Sequence, residues 1–304
     1  MIGQMAKDLG VTTRFVAAFA QGASYAYKTY AIPKKGGGFR RIDHPSKQLK
    51  AMQRWLLSYL LNSLPIHPAA AAYRKEKSIF DNASLHAGSR YLLRMDFKDF
   101  FHSITDDDLR MLIANRPGTF SGWTPYETDL FCKLVCKGGR LTIGAPTSPI
   151  LSNAVCYDMD TQLSEISNKL EVIYSRYADD LFFSTKLPNV LPALQSTVVS
   201  AVAHLALPRN LEINPAKTRH SSKGRTRRVT GITLGSDGKP YIGRGLKRKI
   251  RAMIHQVDTL DAEGRGSLAG LIAYAGGFDP DFVNSLITKY GHSTVSKVRI
   301  PPSA

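Results

Sequence analysis

The feature that most constrains this chain is Tyr177-Ala178-Asp179-Asp180, two adjacent carboxylates set between two strand-like apolar runs. Val172, Ile173 and Tyr174 precede it, and Leu181, Phe182 and Phe183 follow it. The pattern predicts a β-hairpin over Val172–Ser184 with the acids at its turn. Neighbouring carboxylates on a tight turn repel each other and are costly there unless a cation neutralises them. A solvated Asp-Asp turn is the plain alternative. A further acid weighs against it: Asp96 ends a buried strand predicted over Tyr91–Asp96, just before Asp99-Phe100-Phe101. A strand ending in Asp beside a hairpin ending in Asp-Asp could bring three carboxylates together. Phosphoryl transfer with two Mg2+ needs such a cluster, one metal lowering the pKa of the attacking hydroxyl and the other steadying the leaving pyrophosphate.

The charge balance fits a polyanionic partner. Forty-one Lys and Arg against 24 Asp and Glu leave a net charge of +17, and nucleic acid is the usual partner of such an excess. From Lys217 to Arg251 there are twelve Lys or Arg and one acid, Asp237, so this stretch is expected to track a phosphate backbone. A membrane surface is the rival, but no apolar run is long enough to span a bilayer and no basic amphipathic helix lies beside a lipid anchor. Met1–Gly10 lacks the apolar core of a secretory signal. Three cysteines, Cys132, Cys136 and Cys156, are too few and odd in number for a disulfide framework, and they fit a reducing, cytoplasmic setting. Cys132 and Cys136 lack a second Cys/His pair at ligand spacing and read as packed thiols.

Along the chain, Thr12–Ala20 reads as a short helix. Thr29–Ile32 and Phe39–Ile42 read as strands around a basic tip, Lys34-Lys35-Gly36-Gly37-Gly38. Ser46–Leu61 is an amphipathic helix on Leu49, Met52, Leu56 and Leu60. Ser148 is placed to cap one helix with Pro149 in its first turn and the stripe Leu151, Val155, Met159, Leu163, Ile166 and Leu170. Val229–Leu234 and Pro240–Ile242 suggest a hairpin around Ser236-Asp237-Gly238. Leu246–Leu260, Ser267–Ala275 and Asp281–Tyr290 read as helices.

These motifs together resemble the reverse transcriptases. Arg40-Arg41-Ile42-Asp43-His44-Pro45 is similar to their fingers motif, Arg-x-Ile-x-x-Pro. Asp96–Phe101 resembles motif A, Gly144–Pro149 motif B, Tyr177–Asp180 motif C and Asn214–Thr218 motif D. Five motifs in order are too many for chance. The resemblance implies an α+β right-hand polymerase fold. Residues 1–90 would form fingers, 91–107 and 144–235 an antiparallel-sheet palm, 108–143 a helical fingers/palm insertion, and 236–304 an RNA-binding helical thumb. It implies two Mg2+ ions, with Mn2+ able to substitute, held by Asp96 and Asp179 with support from Asp180 and the Phe97 carbonyl. Arg40 would grip the triphosphate of the incoming dNTP, Asp99 would sit near it, and Gly144 would let backbone approach the nascent base pair. Phe101 would exclude a 2′-OH, with Phe100 either sharing that role or lying in the core. Lys217 would donate a proton to pyrophosphate or simply bind phosphate. One departure is Thr142-Ile143-Gly144 where the family commonly has Pro-Gln-Gly: Ile143 cannot donate the hydrogen bonds of Gln.

Two shorter motifs resemble those of the bacterial retron enzymes: Asn82-Ala83-Ser84-Leu85-His86 (Asn-Ala-x-x-His) and Val229-Thr230-Gly231. Taken alone, His86 reads as a satisfied structural histidine and Val-Thr-Gly as a strand end. The length is expected to leave no room for an RNase H, integrase, maturase or endonuclease domain. A retron enzyme reverse transcribes a structured non-coding RNA from its own operon, priming from a guanosine 2′-OH, to give branched RNA–DNA (msDNA). Host RNase H trims the template, and an operon-encoded effector protein completes an antiphage unit. The other readings are a different bacterial reverse transcriptase, of group II intron, diversity-generating or abortive-infection type, or a non-catalytic RNA-binding protein of polymerase fold. For RNA phosphates the residues expected are Lys247, Arg248 and Arg251 on one helix face, with Arg225, Arg227 and Arg228 as the further basic cluster.

Overall fold

A computed structural model describes residues 1–34 and 37–298. Lys35 and Gly36, in the expected basic tip, lie outside the described residues, as does 299–304. The chain opens with helices α1 (Ile2–Leu9) and α2 (Thr13–Gln21), strands β1 (Tyr27–Pro33) and β2 (Phe39–Pro45), then α3 (Lys47–Tyr59) and α4 (Ile79–Ala87). Strand β3 (Tyr91–Asp96) leads into α5 (Phe100–Ser103), α6 (Asp106–Ala114), α7 (Pro125–Val135), α8 (Ser148–Val155) and α9 (Tyr157–Lys169). Next come the hairpin β4 (Ile173–Tyr177) and β5 (Asp180–Thr185), α10 (Val190–Ala203), β6 (Arg219–Ser222), β7 (Arg227–Val229), β8 (Ile232–Leu234) and β9 (Pro240–Tyr241). The described residues end with α11 (Arg244–His255), α12 (Ala262–Phe278), α13 (Pro280–Tyr290) and α14 (His292–Lys297).

Two compact units emerge, and neither is one continuous segment: Met1–Lys75, Leu93–Phe183 and Asn189–Arg219 form the first, and Glu76–Leu92, Ser184–Pro188 and His220–Ala304 the second. In the first, β4, β5 and β3 lie side by side in that order. Leu181, Phe182 and Phe183 on β5 are all fully buried, so this strand has protein on both faces. Hairpin β1–β2 pairs Tyr27 with Pro45 through to Pro33 with Phe39. Ser and Thr side chains cap several helices, as expected for orphan N–H groups: Thr12 caps α2, Ser46 caps α3, and Thr105 and Thr124 close capping boxes with Asp108 and Glu127.

In the second unit α4 packs on the β7-β8-β9 sheet, and α11 to α14 share a core of Ile250, Ile254, Val257, Leu268, Ile272, Phe282 and Leu286. The apolar face expected of α11 is the one that faces this core.

Three expectations change. The stripe from Leu151 to Leu170 belongs to two helices, because Cys156 ends α8 and starts α9. Beyond that break the buried face of α9 is Met159, Asp160, Leu163 and Ser167, which leaves Leu170 exposed. Thr147 rather than Ser148 takes the N-cap position, and Ser148 Oγ accepts a hydrogen bond from the Thr142 amide (3.3 Å). Val229–Leu234 is not one strand: Thr230 (φ 49°) and Gly231 (φ 86°) turn the chain between β7 and β8, with Val229 opposite Ile232. Two positive φ angles in a two-residue loop match the twist of the flanking strands. All three cysteines are buried free thiols, and burial pushes Cys132 and Cys156 up to about 12.

Candidate active site

The first unit places the β4–β5 turn beside the end of β3. The Phe97 amide donates to the Asp179 carbonyl (3.0 Å), and the Asn214 amide donates to that of Asp96 (2.7 Å). This brings the carboxylates of Asp96, Asp179 and Asp180 within mutual electrostatic range. Burial, then the charge of Asp96, raises the Asp179 carboxyl above its usual range, against the pull of Lys217 and Arg40. Burial pushes Asp180 up to about 6, opposed by Arg94.

Cations hold two of the three acids. Lys217 Nζ donates to both oxygens of Asp96 (2.7 and 3.0 Å), and Arg94 grips Asp180 from Nε and Nη2 (3.0 and 2.8 Å). Among the described residues no three His, Cys, Asp or Glu side chains stand as a ready-made metal cluster. The donor set nonetheless suits a hard divalent ion. Carboxylate oxygens are its preferred ligands, and Asp179 is half enclosed beside a like charge, where a cation relieves both burial and repulsion.

A cavity of about 730 Å3 opens over Asp179, lined by Lys34, Arg40, Arg41, Arg140 and Lys217 on its polar side and Tyr73, Phe97, Phe101 and Ile143 on its apolar side. Arg40 is exposed there, and Asp99 lies on the rim with φ 42°. The two phenylalanines separate clearly: Phe100 is buried and stacks on Phe97 (5.7 Å between centroids), whereas Phe101 is half-buried with its ring 6.3 Å from Tyr73. Both rings line the cavity. Gly144 has φ 120°, and a Cβ there would stand 2.7 Å from the Asp43 carbonyl oxygen. Glycine is required by close packing on β2, a reason distinct from the approach to a base pair expected of it.

The second unit holds the remaining expected residues. Asn82, Ala83 and His86 lie on the buried face of α4, and Thr230 Oγ1 donates to the Ile79 carbonyl (3.1 Å), so the second short motif is tied to the helix that carries the first. His86 Nδ1 lies 2.7 Å from Ser184 Oγ, and burial holds the imidazole down to about 3. Two of the residues expected at RNA phosphates are engaged within the chain. Arg227 is 1% exposed and donates to the Ser89 and Gly235 carbonyls, so it joins α4 to the sheet rather than facing a ligand. Lys247 pairs with the buried Asp279 (2.6 Å) and lies over the rings of Tyr241 and Phe282. Arg225, Arg228, Arg248 and Arg251 are exposed, with Arg251 5.2 Å over Phe282.

Sequence reasoning missed Arg94, Tyr73, Arg140 and Arg176. Arg94 carried a signal, because two residues before Asp96 on a strand is the same side of the sheet. Tyr73 follows Ala69-Ala70-Ala71-Ala72 with no periodic cue, and its φ of 62° is a property of the folded chain.

Residues 32–234 match the family model for reverse transcriptase (RNA-dependent DNA polymerase). The retron Ec83 reverse transcriptase of Escherichia coli is 36% identical over 284 residues, 90% of this chain and 89% of the relative. The retron Mx162 reverse transcriptase of Myxococcus xanthus is 36% identical over 281 residues, 84% of this chain and 58% of the relative. A solved telomerase from Candida tropicalis with a TWJ fragment of telomeric RNA is similar with a TM-score of 0.50 at 12% identity, over 92% of this chain and 59% of that one, a likeness of fold alone. The chain belongs to the reverse transcriptases, RNA-directed DNA polymerases of α+β right-hand fold. Within that family it stands with the retron enzymes. No helix among the described residues is long and apolar enough to cross a membrane.

Proposed function

We propose that this polymerase copies a structured non-coding RNA of its own operon from a guanosine 2′-OH, giving a branched RNA–DNA product, msDNA, for antiphage defence. In this reading the RNA, dNTPs and an operon-encoded effector protein are its partners, and host RNase H removes the copied template. The segments 1–90, 91–107, 108–143, 144–235 and 236–304 act as fingers, palm, insertion, palm and thumb. The observation that carries the catalytic part is the cavity over Asp179, where Arg40, Arg140 and Lys217 and a half-buried aromatic wall surround a carboxylate that feels the charge of Asp96.

Asp96, Asp179 and Asp180, with the Phe97 carbonyl, would hold two Mg2+ ions, or Mn2+ in their place. When bound, such ions supply charge neutralisation at the attacking hydroxyl and at pyrophosphate. The chain's own groups do the rest. Arg40, with Lys34 and Arg140 lining the same cavity, binds the triphosphate, and guanidinium geometry suits two phosphate oxygens at once. Asp99 lies at the cavity rim beside them. Phe101 and Tyr73 bound the sugar position and exclude a 2′-OH. Lys217, oriented by Asp96, carries a proton toward the departing pyrophosphate. In the thumb, Arg248 and Arg251, with Arg225 and Arg228, meet RNA phosphates.

The test is synthesis by the purified protein on a transcript of the RNA encoded beside its gene. The expected product is DNA that keeps a covalent ribonucleotide after protease and denaturant and loses it to a 2′,5′-debranching enzyme. DNA without an attached ribonucleotide would leave the polymerase and remove the branched product.

A further inference from the structure

Behind the catalytic turn lies a fully buried charged network that the polymerase reading does not use. Arg176 and Asp160 are both 0% exposed. The guanidinium grips Asp160 as a fork, Nε to Oδ1 at 2.8 Å and Nη2 to Oδ2 at 2.6 Å, and the Tyr174 hydroxyl donates to the same Oδ1 at 2.8 Å. One nitrogen remains. Arg176 Nη1 donates to the carbonyl of Ala178 at 3.2 Å.

That carbonyl belongs to the residue whose conformation the site most needs held. Ala178 has φ 55°, a left-handed conformation that is unfavourable for a non-glycine residue. Its carbonyl and the Asp179 amide share one rigid peptide plane. Fixing the Ala178 oxygen therefore fixes the plane from which Asp179 hangs. The following plane is fixed as well, because the Asp179 carbonyl accepts from the Phe97 amide at 3.0 Å. Asp179 is thus pinned on both sides while its carboxylate is held near that of Asp96.

The anchor itself cannot drift. The Arg176 amide donates to Ala69 O (2.8 Å), and its carbonyl accepts from the Ala71 amide (2.8 Å). The Phe100 ring lies 5.9 Å from the guanidinium carbon. Rotating the Ala178–Asp179 plane would strand a guanidinium N–H in the interior, where an unpaired polar group is expensive. Apolar side chains would fill the same space at similar stability, since the desolvation of a buried ion pair cancels much of its attraction. They could not hold a carbonyl.

We infer that Arg176, oriented by Asp160 and Tyr174, is the positioning residue of Asp179: it sets the catalytic turn and contributes little to net stability. The inference rests on the assignment of Asp179 to the active centre. It separates two properties that a merely structural network would lose together.

The decisive variant replaces the network by apolar groups, Tyr174→Phe, Asp160→Leu and Arg176→Met in one chain. The expected result is a melting temperature near wild type and unchanged primer–template affinity. Over residues 177–181 amide exchange is expected to be faster. Misplacement of the metal-binding carboxylate should lower kcat about 100-fold, with KM for dNTP little changed. Wild-type kcat with wild-type exchange would overturn the inference. Should the triple variant not fold, Arg176→Lys takes its place. Its single ammonium keeps the charge beside Asp160 but cannot span the carboxylate and the Ala178 oxygen together, so kcat is again expected to fall and turn exchange to rise, with wild-type values overturning the inference. If wild-type protein itself made no DNA, the assignment of Asp179 would fail, and turn exchange would still decide whether Arg176 holds the turn.

Discussion

Two lysines make nearly the same contact for different ends. Lys217 Nζ lies 2.7 Å from Asp96, and Lys247 Nζ lies 2.6 Å from Asp279, with each aspartate buried. Around Lys217 there is a second carboxylate, an open cavity and a lysine side chain more than half exposed. Lys247 has the rings of Tyr241 and Phe282 about it, and Asp279 Oδ1 also caps α13 by accepting from the Phe282 amide (3.1 Å). The first pair is a contact in a binding site, where another cation can take the lysine's place. The second fastens α11 to α13. What decides is the surroundings: spare negative charge and solvent access make a carboxylate a ligand, while aromatic walls and a capped amide make it a fastener.

The largest effects should fall on opposite sides of that comparison. Asp96→Ala is expected to lower DNA synthesis about 1,000-fold or more, because transition-state charge stabilisation is lost. Its unfolding free energy should change by less than about 1 kcal/mol, since a lysine this exposed contributes little through its pair. Asp279→Ala should do the reverse, losing about 2–4 kcal/mol in urea unfolding from the lost cap and ion pair, with kcat retained at a permissive temperature. Equal stability losses in the two variants would erase the distinction.

Phe101→Ala probes the apolar wall of the same cavity. Preference for dNTP over rNTP in a competition assay should fall about tenfold or more, while Phe100→Ala should act mainly on stability. If only Phe100→Ala relaxed the discrimination, the sugar position would have to move.

His86 extends the comparison to a buried base hydrogen-bonded to Ser184. Burial holds it down to about 3 from 6.5, so between those values the unfolded chain binds the extra proton. Stability should therefore rise with pH through this window and be lost as pH falls, at up to about 1.4 kcal/mol per pH unit from this group. His86→Gln should flatten the slope of unfolding free energy against pH between 4 and 6, and an unchanged slope would mean that other groups set it.

The smallest effect separates exposed from fastened cations. Arg248→Ala should reduce the salt slope of RNA binding by about 0.7–0.9 unit, the share of one phosphate contact. Lys247→Ala should leave the slope unchanged and lower the unfolding midpoint. A slope change in the lysine variant alone would reassign the pair.

What the sequence disclosed followed its periodicities. Apolar runs on both sides of Tyr177–Asp180 place the acids at a turn, and the α11 spacing identifies the face that packs. The misses share a cause, which is that they depend on partners distant in the chain. Lys247 finds Asp279 only through the packing of α11 on α13. Arg227 sits on a three-residue strand, too short for alternation to tell inside from outside, so its burial was invisible. The apolar spacing from Leu151 to Leu170 runs on through Cys156, where the backbone breaks without glycine or proline to announce it. Gly144 was legible as special, but its reason is a carbonyl on β2, about a hundred residues earlier.

The central claim is that the carboxylates over this cavity make DNA on an RNA template. The direct measurement is single-turnover extension of a primer on RNA, with and without Mg2+, by wild type and by Asp179→Asn of matched folding and RNA affinity. Extension by wild type with Mg2+ alone, and none by the variant, is the predicted result. Extension by Asp179→Asn at the wild-type rate would contradict the account, because the chemistry would then lie elsewhere in the chain.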